Sequence, residues 1–175
     1  MKHWREIQGW LTRHEAAVLQ KLADGAELAV NVGVWKGRST AALAAVAVHV
    51  IAVDHWRGGN ELAHLEDPGL PELEAIAERN LIGYKNVDVW AMESVEAAEV
   101  FEGEADLIFI DAGHTYDEVA ADIAAWWPKV AQGGHLAVHD YGEPAFPGVK
   151  RAVDAAKLGG APAQTAVRLY VVEKE

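Results

Sequence analysis

Residues 28–54, LAVNVGVWKGRSTAALAAVAVHVIAVD, carry the reading on which the fold depends. An apolar run over 28–33 stops at a glycine. After a short loop, an alanine-rich helix over 39–48 opens on two hydroxyl residues, Ser39 and Thr40, whose side chains can satisfy the free N–H groups of a helix start. A second apolar run, His49 to Asp54, ends on a carboxylate. Apolar runs without polar alternation suit strands covered on both faces, and a helix between two of them makes a parallel crossover.

The same alternation extends outward in both directions. Residues 4–24 read as a helix with Ile7, Trp10, Leu11, Ala17, Val18 and Leu22 on one face, so that 1–25 form a helical segment packed on the rest. Downstream, a loop over 55–69 contains Gly58, Gly59, Pro68 and Gly69. The pattern then predicts a helix over 71–82, a strand over 87–90 and a short helix over 94–101. The strand 107–111 (LIFID) again ends on a carboxylate. A helix over 116–130, broken near Pro128, leads through Gly133 and Gly134 to a strand over 135–139, a helix over 147–157 and a strand over 169–172. No repeat or linker divides the 175 residues. The expectation is one doubly wound α/β domain, mostly parallel, spanning 1–175.

Composition narrows the function. There is no cysteine, which excludes disulfides, thiolate catalysis and cysteine-ligated metal centres. Against 27 Asp and Glu stand 15 Lys and Arg, a net charge of −12, the wrong balance for a nucleic-acid partner. No apolar run approaches the roughly 20 residues that cross a bilayer. The opening MKHWREIQGW carries charges and tryptophans where a signal peptide needs an apolar stretch. No membrane partner and a cytoplasmic location are expected.

In open α/β sheets, ligands bind beyond the carboxyl ends of the strands, where the strand order reverses. The tips here offer Asn31 and Gly33, Asp54, Met92 to Ser94, Asp111, and His139 with Asp140. The first loop, NVGVWKGRST over 31–40, has glycines that let a backbone approach a ligand, and the helix start behind it suits an anion. Asp54 follows Gly33 by 21 residues, where an acid accepts bonds from ribose hydroxyls. Together these predict a cofactor containing adenosine. A nicotinamide dinucleotide would call for Gly-x-Gly-x-x-Gly and a nucleoside triphosphate for Gly-x-x-x-x-Gly-Lys-Ser/Thr; neither occurs. The single Tyr-x-x-x-Lys pair, Tyr170 with Lys174, lies at the C-terminal end, away from the helix on which short-chain dehydrogenases carry it.

NVGVWKGRST, AVDHWRG (52–58), LIFIDAGHTYDEVAADIAAWWPKVAQGGHLAVHDY (107–141) and PGVKRAVD (147–154) together resemble class I S-adenosylmethionine-dependent methyltransferases. The closest likeness is to the small O-methyltransferase-like group with an Asp-x-x-His-x-Tyr motif after the fourth strand. The resemblance implies a seven-stranded Rossmann-like sheet with an antiparallel last hairpin, the sixth strand falling near 164–167. It places the methionine end of S-adenosyl-L-methionine against Asn31, Gly33, Trp35, Gly37, Ser39 and Thr40. The ribose would lie on Asp54 beside His55 and Trp56, and the adenine near Met92, Glu93 and Ser94, with Asp111 at the cofactor's edge. Trp35 and Trp56 lie in the two cofactor loops, where a ring can stack on adenine or shield a sulfonium. Relatives carry an acid at the position of Asn31, so weaker cofactor binding is expected, and Asn31→Glu should tighten it.

For catalysis, His114 is the candidate general base, three residues past Asp111. Asp111, His139 and Asp140 are candidate ligands of a divalent metal such as magnesium or manganese, histidine favouring the softer ions. The expected reaction is O-methylation of a small hydroxylated metabolite, with acceptor selection by 58–69, 141–148 and the N-terminal helix. A homodimer is a further expectation of the group. The alternative is a catalytically silent domain that retains S-adenosylmethionine or S-adenosylhomocysteine and binds a partner, a reading supported by Asn31 and Met92 at positions where relatives differ.

Overall fold

The computed structural model describes residues 2–59, 62–159, 161–162 and 168–175. Its strands are β1 Leu28–Val32, β2 His49–Asp54, β3 Val87–Ala91, β4 Ala105–Ile110, β5 Val130–Val138, the two-residue β6 Ala161–Pro162 and β7 Tyr170–Glu173, with α-helices α1 Arg13–Ala23, α2 Arg38–Ala44, α3 Leu62–Leu65, α4 Leu73–Leu81, α5 Ser94–Val100, α6 Tyr116–Trp126 and α7 Pro147–Ala156. The strands lie in the order β3-β2-β1-β4-β5-β7-β6. β1 to β5 run parallel, and β7 is antiparallel to both β5 and β6. The doubly wound, mostly parallel α/β sheet is therefore as expected. Six strands have four residues or more, and the short β6 completes the final hairpin. The sixth strand expected near 164–167 lies outside the described residues.

Alternation along the central strands divides the core in two. Ala29, Leu107 and Phe109 face α1 and α2 with Leu19 and Leu43. Val30, Val32, Ile108 and Ile110 face the other way, onto α5, α6 and α7 with Ile123, Trp126 and Val153. Period-two alternation thus buries both faces. Along the edge strand β3 no residue is fully buried.

The N-terminal segment departs from the sequence reading. Instead of one helix over 4–24 there is a 3₁₀ turn at Trp4–Glu6, an extended stretch, and then α1. Thr12 and Glu15 form a reciprocal capping box that fixes the start of α1. Ile7 and Leu11 are buried, while Trp10 is 54% exposed. The Arg38 guanidinium donates to the Ile7 carbonyl at 2.9 Å, holding the extended stretch against α2. α2 itself ends at Ala44 rather than near 48, and the Val48 N–H turns to the Ala26 carbonyl at 2.8 Å. β5 begins earlier than expected, because Gly133 and Gly134 form a bulged part of the strand paired to Lys174 rather than a turn before it. Among the described residues, no helix is long and apolar enough to cross a membrane.

Candidate active site

β1 and β4 are neighbours whose crossovers lead to opposite sides of the sheet, so the crevice opens between their tips. Gly33 ends β1 with φ +87°, and a Cβ there would stand 2.0 Å from the Asp111 carbonyl oxygen. The two loops therefore touch through a backbone position only glycine can occupy. Asp111 N–H donates to the Val32 carbonyl at 2.8 Å, extending the ladder to the rim.

Asp54 locks the next loop. One carboxylate oxygen accepts the N–H groups of Val34 and Trp35 at 2.8 and 2.9 Å, and the other accepts that of Trp56 at 2.8 Å. Trp35 and Trp56 both adopt left-handed backbone, φ 51° and 64°, as does Asp140 at 56°. Such conformations in non-glycine residues concentrate at functional sites. A carboxylate offers about four acceptor positions, so Asp54 retains capacity for one ligand hydroxyl rather than the expected pair.

Two adjoining cavities occupy the crevice. The larger, about 700 Å³, is lined by Gly33, Trp35, Asp54, His55, Met92, Glu93, Ser94 and Asp111 among others. Eight of the expected cofactor positions thus face one space. The smaller, about 170 Å³, lies towards the N-terminal segment and includes Ser39, His114, His139 and Asp140. Gly33, Trp35, His64, Asp111 and Ala112 border both.

Four expected cofactor contacts are not on either wall: Asn31, Gly37, Thr40 and Trp56. Asn31 is fully buried behind the loop. Its amide oxygen accepts from Ser39 and Thr40 hydroxyls at 2.9 and 2.8 Å, and its amide nitrogen donates to the Gly33 carbonyl at 2.9 Å. The two hydroxyls therefore do not cap α2, whose N-cap is Gly37. Asn31 supports the loop from inside. Trp56 packs against the core on the α1 side. Glu93 lines the groove but is ion-paired to Arg57 across its mouth.

At the other tip, His139 is 5% exposed and surrounded by acids. Its Nδ1 lies 2.9 Å from Asp111 and 3.3 Å from Asp140. Nε2 lies 3.4 Å from Glu15 Oε2, an ion-pair distance outside hydrogen-bond geometry. Burial alone would favour the neutral ring, but the carboxylates of Asp111, Asp140 and Glu15 outweigh it and hold the imidazole protonated well above its ordinary range. The reciprocal effects are clear: burial opposes both shifts, yet the histidines draw Glu15 down to about 2 and Asp140 well below the usual carboxylate range. Asp140 also meets His114 Nε2 at 3.1 Å, and His114 stacks on Phe146 with ring centroids 4.0 Å apart.

The sequence-predicted metal trio, Asp111, His139 and Asp140, does come together, with one ligand atom from each within 4.8 Å of the others. The donor set nevertheless fits a metal poorly. Both ring nitrogens of His139 face carboxylates, so a metal bound through either one would have to displace a ring proton that these acids hold. The histidinium already supplies the positive charge that these acids require.

The chemistry of the two cavities has a family to match. A family described as a methyltransferase domain matches residues 30–141, more than half of the chain. The chain belongs to this methyltransferase-domain family. It is an S-adenosylmethionine-dependent methyltransferase by that membership. No curated protein matches the sequence. Among solved structures, the O-methyltransferase NovP is similar with a TM-score of 0.68 at 15% identity, over 91% of this chain and 79% of NovP. A Streptococcus mutans protein solved with S-adenosylhomocysteine has a TM-score of 0.67 at 15% identity, over 97% of this chain and all of that one. An rRNA methylase of Streptococcus thermophilus has a TM-score of 0.63 at 16% identity, over 94% and 97%. At such identities the likeness establishes the fold and leaves the acceptor open.

Sequence reading did not single out four residues of this methyltransferase's site, although three of them lie in segments it assigned to acceptor selection. Glu15 was hidden because it reaches His139 from the N-terminal helix, although the Thr12-x-x-Glu15 capping pattern marks it as a fixed side chain. His64, within the 58–69 segment expected to select the acceptor, stacks on Trp35 at 4.2 Å beside both cavities. Asp122 and Phe146 line the larger and smaller cavity respectively; Phe146 lies in the 141–148 segment expected to select the acceptor, and Asp122 was not singled out.

Proposed function

We propose that this methyltransferase is an O-methyltransferase of the small Asp-x-x-His-x-Tyr group, acting on a small hydroxylated molecule. The donor occupies the larger cavity and the acceptor the smaller. The observation that carries the reading is the shared border at Gly33 and Asp111: whatever bridges the two spaces passes over a point where the β1 and β4 loops touch.

The donor supplies a methyl group made electrophilic by its sulfonium, and the chain aligns and deprotonates. Asp54 offers its remaining acceptor capacity to a ribose hydroxyl, while Met92, Glu93 and Ser94 border the far end of the groove. His114 sits on the acceptor side with its Nε2 3.1 Å from Asp140, a carboxylate that orients the ring, and it is the base assigned to the acceptor's proton. The protonated His139 keeps Asp111 and Asp140 in register. No step is assigned to a metal.

Calorimetry and turnover test this together. S-adenosylhomocysteine is expected to bind, and His114→Ala to lower kcat at least about 100-fold while that affinity stays within about twofold. Turnover should survive a saturating chelator. Failure of S-adenosylhomocysteine to bind at millimolar concentration removes the donor site; undiminished turnover in His114→Ala removes the base; loss of activity to the chelator removes the metal-free scheme.

A further inference from the structure

Resting on that reading, we propose that the smaller cavity selects an acceptor built on a single aromatic ring, a monocyclic phenol, in preference to a sugar.

Three observations converge. The first is size: at about 170 Å³ the space is close to the roughly 150 Å³ cavity that accepts benzene. The second is the character of the walls. Trp10, Trp35 and His64 form one aromatic cluster, with centroid separations of 5.5, 5.0 and 4.2 Å. The parallel His114 and Phe146 pair forms another, and all five rings line the cavity. Planar rings seat well against such surfaces.

The third is that, among the described residues, most polar groups along the cavity are engaged with one another and only a few N–H donors are left over. Gln8 accepts from Lys36 at 3.0 Å, and Ser39 donates to Asn31 at 2.9 Å. His139 is held by Asp111, and His114 by Asp140, at the distances given above. A sugar would bring several hydroxyls out of water to a surface whose partners are engaged with one another, and each unpaired hydroxyl counts against binding. Trp35 Nε1, Arg38 Nε and His139 Nε2, on residues that line this cavity, are buried without a hydrogen-bond partner. Three N–H donors suit one or two oxygen-bearing substituents, not a ring of them. The phenolic hydroxyl is also far more acidic than an aliphatic alcohol, which suits an imidazole base. In the transfer, the phenol oxygen bonds to the methyl carbon as the carbon–sulfur bond breaks. The sulfonium leaves as the neutral thioether, and the phenol's proton passes to His114.

The test titrates catechol, 1-naphthol and methyl rhamnoside into the intact protein by calorimetry, with and without saturating S-adenosylhomocysteine, and measures methylation of each. Catechol is expected to bind and be methylated at least tenfold better than either of the others. Trp10→Ala opens the exposed side of the cavity; it should weaken catechol about tenfold and narrow the preference over 1-naphthol. Rhamnoside binding as tightly as catechol, 1-naphthol doing so in the unaltered protein, or Trp10→Ala leaving all three unchanged would overturn the proposal. Binding of S-adenosylhomocysteine without any binding of catechol overturns it alone. Catechol binding to a protein indifferent to S-adenosylhomocysteine overturns instead the donor-site reading while upholding the cavity's selectivity.

Discussion

Replacing Asp122 by asparagine should stabilise the protein at neutral pH and leave it nearly unchanged in mild acid. Asp122 lies on α6 with 5% of its surface exposed. Burial pushes its carboxyl up to about 6 from an ordinary 3.8; a hydrogen bond from Ser94 pulls the other way, and the nearby Glu118 charge adds to the rise. A folded state that holds the proton more tightly than the unfolded chain loses stability as pH rises from about 4 to about 6. The full cost is in place above that range. A gap of about two pH units corresponds to about 3 kcal/mol. Asparagine has the same shape, still accepts the Ser94 hydroxyl and never ionises. Ser94 remains oriented in either case, because Trp126 Nε1 donates to its oxygen at 3.0 Å. Urea denaturation followed by circular dichroism at pH 4 and pH 7.5 should show a gain of about 2–3 kcal/mol at pH 7.5 only, with Tm raised by about 5–10 °C there. A gain equal at both values, or a loss at pH 7.5, would refute the reasoning.

Further expectations follow from the same geometry. Gly33→Ala should cost more than about 2 kcal/mol, since it combines a left-handed backbone with a carbonyl clash, and should abolish S-adenosylhomocysteine binding in calorimetry. Asn31→Glu, expected from sequence to tighten the cofactor, should instead weaken it and lower Tm: the buried acid loses the donor to the Gly33 carbonyl. Glu15→Gln should destabilise the protein by about 3 kcal/mol at pH 7, because it leaves the buried His139 charge less compensated. As Glu15 titrates near 2 when folded and 4.5 otherwise, its contribution is present above about 4.5 and lost as pH falls towards 2. Denaturation of the variant and the parent should therefore converge across that window.

The fold was legible because its signals are local. β2 was read at its true bounds, and the tips Gly33, Asp54 and Asp111 were found from an apolar run meeting glycine or acid. What failed to show was anything set by approach in space. Asn31 looked like a cofactor ligand because it sits at a strand tip, but alternation turns its side chain to the α2 face, where two hydroxyls wait. Thr40 and Trp56, expected beside the cofactor from their place in the sequence, likewise stand off the two cavity walls. The metal trio was found as a cluster, yet the charge of His139 depends on Glu15, more than a hundred residues before it in the chain. The break in the N-terminal helix was signalled by Gly9 and the Thr12-x-x-Glu15 box; the amphipathic spacing across them masked it.

Glu15 gives the N-terminus a second duty. The residue that starts α1 also accepts the Arg168 N–H at 3.2 Å, just before β7, while standing against His139 at the end of β5. The first helix is thus wired to the catalytic rim and to the last hairpin at once. Trimming the chain ahead of β1 to obtain a minimal catalytic unit would strip the rim of a counter-ion and cut loose the opposite end of the chain, so engineered shortening should begin elsewhere.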